Sequence, residues 1–461
     1  MRFHSILIAA SLVMASAASG LAATYYVAPL DAKVSCAKAD GSLNCPWLKV
    51  GEALANPKVI GGDTILLMDG AHGHVRTNEA FDKDVTVQSQ NGSNAHLSSI
   101  HFSDLAQHIK LKNLKIWRSD ADATGFMVRS YSGASYLTFE NLDVRSRPDT
   151  DKQLDWSADR WKASAGVGME LRGKNYIVRN CRVSAVHVGI FAMGSGALVE
   201  NNLVMDFTGD GMKSGGSNSI FRNNVVKNRF KVSATHADGF QAYAPAVLTN
   251  LTIEGNTILE WTHSKSHPLR GSLQGIGMFN GYYDNLLIQN NVVATRHWHG
   301  ITVQGTRHAK ILNNTVVNID GTVGKAPWIR IVGKSDTLPS QDVVVANNVA
   351  MQFQGSTNVA NNVLFTDNSI ILYPAKVMSD IATFNYVPKA TSGFIDTGNA
   401  GYAPKTDIMG TSRPYGKGPD RGAYEQGSAI INDTSALRTT STSSTSSTGS
   451  NPTSAKFLTA P

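Results

Sequence analysis

Beyond its first twenty residues the chain has no apolar run approaching the roughly 18 residues a bilayer-spanning helix requires, so a second membrane anchor is not expected. Cysteine is scarce, with three in 461 residues. Neither the close pair Cys36 and Cys45 nor the solitary Cys181 has the spacing of a zinc site. Lys and Arg never gather into a block, which argues against a nucleic-acid partner.

What the chain does have at its start is a basic Met1-Arg2, a short apolar stretch from Ile6 to Ala18, and small residues at Ala22-Ala23. This is the pattern of a signal peptide over residues 1–23, and it places the rest of the protein outside the cytoplasm, in the periplasm or beyond. In that oxidising setting Cys36 and Cys45 are close enough in an N-terminal loop to close a small disulfide, while Cys181, in an apolar strand pattern, reads as buried and free. Removing the leader leaves 41 basic residues against 35 acidic ones. A positive surplus of this size suits an anionic partner, and for an exported protein acidic glycans fit best.

The strongest signal is a repeat. Ile109-Lys-Leu-Lys-Asn113, Leu137-Thr-Phe-Glu-Asn141, Tyr176-Ile-Val-Arg-Asn180, Leu198-Val-Glu-Asn201, Ile220-Phe-Arg-Asn223 and Leu287-Ile-Gln-Asn290 are versions of one phrase. Several steps are 21 to 23 residues and others stretch past 30, as in a solenoid whose loops leave at particular places. Apolar and polar residues alternate within each phrase, which predicts strands rather than helices. The recurring Asn suits a coil corner, since it tolerates left-handed backbone, and stacked coils then carry an Asn ladder that is structural rather than chemical.

Tyr25-Tyr-Val-Ala-Pro-Leu-Asp31, Cys45-Pro-Trp47 and Gly62-Asp-Thr-Ile-Leu66 open the chain, and Gly418-Pro-Asp-Arg-Gly-Ala-Tyr-Glu425 closes it. Together with the repeat they resemble the pectate-lyase-like right-handed β-helix superfamily. The resemblance implies an all-β fold, a single right-handed parallel β-helix over residues 24–427, followed by a Ser/Thr-rich disordered tail over 428–461. It implies a carbohydrate-active protein, expected to be monomeric.

A second phrase sets the register of the coils. Aligning Gly166, Gly189, Gly211, Gly239, Gly275 and Gly300 stacks Val167, Ile190, Met212, Phe240, Ile276 and Ile301 in the core. Asp210, Asp238, Gln274 and His299 then precede the glycines, with Thr208, His236, Ser272 and His297 two residues earlier. Phe191, Lys213, Gln241, Gly277 and Thr302 follow on the outward parity. Chemistry concentrates between residues 208 and 304, where the insertions also fall: the loop holding His236, the loop Trp261 to Arg270, and the excursion from Arg147 to Gly166. The phrase His236-Ala-Asp-Gly-Phe-Gln241 resembles an H-x-D-x-x-Q motif of bacterial β-helix proteins.

Three functions fit these residue types. A polysaccharide lyase, favoured by Lys213 and the positive surplus, needs a base, an acid and a group that neutralises a uronate carboxylate. Asp210, Lys213, His236, Asp238 and His299 are the candidates for catalysis, and Gln241, Tyr243, Arg270, Arg296, His297, Trp298 and Gln304 for substrate contact, with Arg270 or Arg296 as a carboxylate clamp. Asp210 and Asp238 are alternatively a Ca²⁺ pair that does the neutralising, and a C5-epimerase shares the first step. A glycoside hydrolase instead uses the two Asp residues as its acid and base. That resembles polygalacturonase logic, but the N-T-D, doubled-Asp and R-I-K phrases of that family are absent. The third reading is a glycan-binding or adhesion surface lined by Trp156, Trp161, Trp261, Trp298 and Tyr282 or Tyr283. An Asp before Gly is also a common turn residue, and His187 reads as a surface or satisfied core histidine.

Overall fold

The computed structural model describes residues 22–355 and 361–428, the side chains of Ala244 and Pro245 excepted. Most of the expected leader and tail therefore lie outside the described residues. The chain winds as a right-handed parallel β-helix, the hand that parallel crossovers adopt. Its strands form a 24-stranded sheet and a 12-stranded sheet. The larger sheet supplies two faces of each coil and the smaller one the third. One coil shows the plan: Val188–Ala192 on the first face, Leu198–Glu200 on the second, Leu203–Phe207 on the third. Each strand pairs in parallel with its counterpart one coil on.

The period-2 pattern puts one apolar residue per strand into a continuous stack. On the first face Val128, Met169, Ile190, Met212, Phe240, Ile276, Ile301 and Ile329 lie opposite one another and are fully buried. Burying one such side chain contributes about 1.5–3 kcal/mol, and the third face answers with Val183, Val204, Val226, Ile258, Val293 and Val316. The register corrects one sequence alignment. Val167 faces Val188 and Met169 faces Ile190, so Gly168, not Gly166, belongs to the glycine column. The slip is two residues, which preserves the inward and outward parity.

The glycine column has a packing cause. A Cβ at Gly189 would lie 2.4 Å from Val204 Cγ1, at Gly211 2.3 Å from Val226 Cγ1, and at Gly239 2.4 Å from Ile258 Cγ2. The third-face branched residues dock where these side chains are missing.

Asparagines turn the second corner in two columns. Asn180, Asn201, Asn223, Asn290, Asn313 and Asn347 hold positive φ near 55°, a region other residues enter at a cost of about 1–2 kcal/mol. Their successors are buried and hydrogen-bonded coil to coil: Asn202 Nδ2 donates to Asn224 Oδ1 at 2.9 Å, and the chain continues through Asn256, Asn291, Asn314 and Asn348 to Asn368. The Asn ladder is therefore present, and its second column is hydrogen-bonded from coil to coil. The closing phrase forms a buried knot in which Glu425 accepts from Arg413 at 2.7 Å and from the Asp420 N–H at 2.8 Å. Cys36 and Cys45 are disulfide-bonded, and Cys181 is buried and free. Among the described residues no helix is long and apolar enough to cross a membrane.

Candidate functional site

The main insertions leave at the corner between the third and first faces. Residues 117–125, 146–166, 230–237, 260–273, 295–298 and 318–327 all occupy it. The chain bends there at each column glycine, so the residue before Gly turns out of the core and joins the outward column two residues beyond. That column runs Arg129, Glu170, Phe191, Lys213, Gln241, Gly277, Thr302 and Arg330, one residue per coil. Successive members are about 4.8 Å apart.

Asp210 and Lys213 close an ion pair of 3.0 Å across this bend. The ammonium also lies 5.1 Å from the Phe191 ring and 5.8 Å from the Tyr243 ring. The other Asp210 oxygen, Oδ1, accepts from the Asp238 backbone N–H at 2.9 Å. Asp238 itself is 1% exposed, and neither of its carboxyl oxygens has a hydrogen-bond partner. Burial, followed by the Asp210 charge, pushes this carboxyl well above the usual carboxylate range, only partly opposed by Lys213. One coil on, Gln274 stands opposite Asp238 with its own Oε1 buried and unpartnered. These two adjacent side chains therefore keep hydrogen-bonding capacity that no neighbouring protein group uses.

The cover over Asp238 is Phe279. A Cβ at Gly277 would meet the Phe279 ring at 2.4 Å and Asp238 Oδ1 at 2.7 Å. The missing side chain lets ring and carboxyl meet. Phe279 also packs edge-on against His299, with centroids 5.1 Å apart. His299 Nδ1 bonds the Thr302 hydroxyl at 2.8 Å, and the same oxygen accepts from Trp328 Nε1 at 3.0 Å. Nε2 is the ring nitrogen left for a substrate. His297 stacks on His299 at 5.3 Å and accepts the His299 N–H at Nδ1. Burial, His299, Lys325 and His236 lower His297 to about 4. His299 is lowered as well, by burial, Arg330 and His236. His236 is exposed on its loop, whose base is held where buried Arg229 donates to the Thr235 carbonyl at 2.6 Å.

The structure thus brings Asp210, Lys213, Asp238, Gln241 and Tyr243 together, with His236, His297, His299 and the 43%-exposed Trp298 along the same corner. Gln304 lies two residues beyond Thr302, half-buried on the outward parity. Arg270 and Arg296 are engaged elsewhere. Arg270 bonds Asp320 at 3.0 Å, and Arg296 Nε bonds the fully buried Glu260 at 2.5 Å. Both brace the loops at the corner; Arg270 is buried in its pair, while Arg296 is held through Nε with its side chain 33% exposed.

Three expected platform residues are anchors instead. Trp156, Trp161 and Trp261 are at most 7% exposed and pack with Phe230 beneath the inserted loops, and Tyr283 is fully buried. The Ca²⁺ alternative does not fit the donor set: Asp210 is already paired with Lys213, and no cluster of three metal-binding side chains occurs among the described residues. His187, read as a surface or satisfied core residue, is exposed and lies next to the site. Its Nδ1 bonds Thr208 Oγ1 at 2.9 Å, and its charge is coupled to Asp210 and Lys213. Val186 pairs with Phe207 rather than Thr208. The later coil has one extra residue, which brings His187 beside Thr208 and hides it from a fixed spacing.

The fold and this corner define the protein as a right-handed parallel β-helix protein with an acid–base patch on one face. A family model described as the right handed beta helix region matches residues 101–266. No curated protein matches the chain. Among solved structures, a pectate lyase is 14% identical with a TM-score of 0.45, covering 88% of this chain and 97% of its own. A mannuronic acid specific polysaccharide family 6 lyase from human gut microbiota is 14% identical with a TM-score of 0.41, covering 70% and 80%. The A-module of a mannuronan C-5 epimerase from Azotobacter vinelandii is 14% identical with a TM-score of 0.39, covering 67% and 86%.

Proposed function

We propose that this protein is an exported, monomeric enzyme that cleaves an acidic polysaccharide by β-elimination at the corner bearing Asp210, Lys213, Asp238 and His299. In this reading residues 1–23 are a removed leader, 24–427 the working β-helix and 428–461 a tail. The observation that carries it is Asp238, a buried carboxyl with both oxygens unpartnered beside a charged Asp210–Lys213 pair. A protonated carboxyl donates to the carboxylate of a uronate ring and draws off part of its charge, which makes the C5 proton removable. His299, held in its neutral form, takes that proton at Nε2. The C5–H pair becomes the C4–C5 double bond, the C4–O4 bond breaks, and the Lys213 ammonium protonates the departing oxygen. Asp210 orients Lys213 through their 3.0 Å pair.

The test is incubation with a panel of polyuronides, following both the ultraviolet absorbance of an unsaturated uronate and the release of reducing ends. Absorbance and reducing ends rising together support elimination. Reducing ends without absorbance overturn it and favour hydrolysis, the second reading, because Asp210 and Asp238 are neighbouring acids, the pair of carboxyl groups that glycoside hydrolysis uses. Neither signal, with binding retained, leaves a glycan-binding protein.

A further inference from the structure

A cleft of about 490 Å³ opens at the other end of the first-face strands, where they turn to the second face, between Ala246, Val247, Tyr282, Arg307 and the 333–340 hairpin with its Leu338 and Pro339. Its size is that of sites which hold small ligands. Val247 and Leu338 are 47% and 46% exposed, and the Tyr282 hydroxyl is tied to the Pro339 carbonyl at 2.8 Å, so the walls offer fixed apolar surface to the C–H face of a sugar ring. Gly305, at φ +78°, makes room for this wall, because a Cβ there would meet Lys334 Cβ at 2.6 Å and the Tyr282 ring at 3.0 Å.

Two cations line the cleft. Arg307 is paired with Asp284 at 2.8 Å, and Asp284 is shared with His308. Lys334 differs, since among the described residues its ammonium has no carboxylate partner and donates to the Phe279 carbonyl. An ammonium resting on a neutral carbonyl, above an apolar floor, suits an incoming anion.

We propose that this cleft is a subsite for a carboxylated sugar residue of the polymer, with Lys334 as its principal cation and Arg307 as its second. The inference rests on the acidic-polysaccharide reading above and adds a place across the first face where a more distant residue of the same polymer is held. Phe279 links the two places: its carbonyl holds Lys334 and its ring covers Asp238.

The experiment is calorimetric titration of the full chain carrying Asp238→Asn with tetragalacturonate, tetramannuronate and tetraguluronate, and with neutral cellotetraose. At least one acidic tetramer is expected to bind, with cellotetraose at least about tenfold weaker and acidic affinity falling as salt rises. Lys334→Gln should weaken that affinity by about tenfold at an unchanged melting temperature, while Lys334→Arg restores most of it. Equal binding by the Gln variant, equal binding of cellotetraose, or no binding of any acidic tetramer overturns the subsite. Turnover is read separately on the native chain. Absence of eliminated product with Lys334-dependent binding intact sinks the elimination chemistry and leaves the subsite standing.

Discussion

Asp210 and Asp238 are joined through a backbone N–H rather than through their carboxyls: Asp210 Oδ1 accepts from the Asp238 N–H at 2.9 Å while Oδ2 holds Lys213 at 3.0 Å. One acid is thereby saturated with partners and the other has none on its carboxyl. Burial, followed by the Asp210 charge, raises the Asp238 carboxyl above the usual carboxylate range.

Asp238 therefore makes stability pH-dependent in a definite direction. Its folded pKa lies above the unfolded value of about 3.9, so its contribution is fully present below that value and is lost as pH rises through the folded one. The melting-temperature difference between Asp238→Asn and the native chain should grow in favour of Asn as pH rises from 4 to 8. The facing charges are Asp210 and Lys213; a constant difference across that range would show that the carboxyl ionises normally.

His299 is depressed by burial and by the like charges Arg330 and His236. The base consequently stays neutral below the ordinary imidazole value near 6.5, and the acid limb of kcat/KM should lie below that pH. His299→Gln should lower turnover by about 10²–10⁴, measured as initial rate of product absorbance, with the melting temperature near that of the native chain. Full activity in the variant would move the base elsewhere.

Phe279→Ala opens the cover over Asp238. Water then reaches the carboxyl, and its pKa should move back toward the ordinary range, read by carbon NMR titration of labelled Asp. The stability trend with pH should flatten in step. An unmoved titration would mean that Asp210, not desolvation, controls the acid.

Gly239→Ala tests the packing of the coil. The new methyl would sit 2.4 Å from Ile258 Cγ2 in the core, and overpacking of this kind costs about 1–3 kcal/mol. Gly324→Ala, with nothing within 4 Å of its Cβ position, should change stability by less than about 0.5 kcal/mol. Urea unfolding of the two variants compares them directly.

The solenoid was legible because its determinants are local and repeated. Alternation set the strands, Asn113 through Asn347 marked the corner, and the glycine phrase set the register from Gly189 onward. Parity also placed Lys213, Gln241 and Thr302 in one outward column. The site was legible only in part, because its remaining members depend on contacts between coils of unequal length. His187 is beside Asp210 through a one-residue insertion, and Phe279 covers Asp238 only because Gly277 lacks a side chain. Trp156, Trp161 and Trp261 look like sugar platforms in sequence, yet burying the inserted loops demands large apolar anchors. Arg270 and Arg296 look like clamps, yet Glu260, fully buried, requires cations.

The glycine column gives the molecule a seam in which architecture and reactivity share the same addresses. Asp210 and Asp238 each stand one residue before a position that the core forbids from carrying a side chain, and that same vacancy sharpens the bend aiming them outward. Engineering the interior for greater robustness at Gly211 or Gly239 would therefore re-aim the acids, while lengthening the loops at that corner would alter which polymers reach them and leave the seam untouched. Adaptability in this scaffold resides in the loops, and the aim of its acids is locked to how its coils stack.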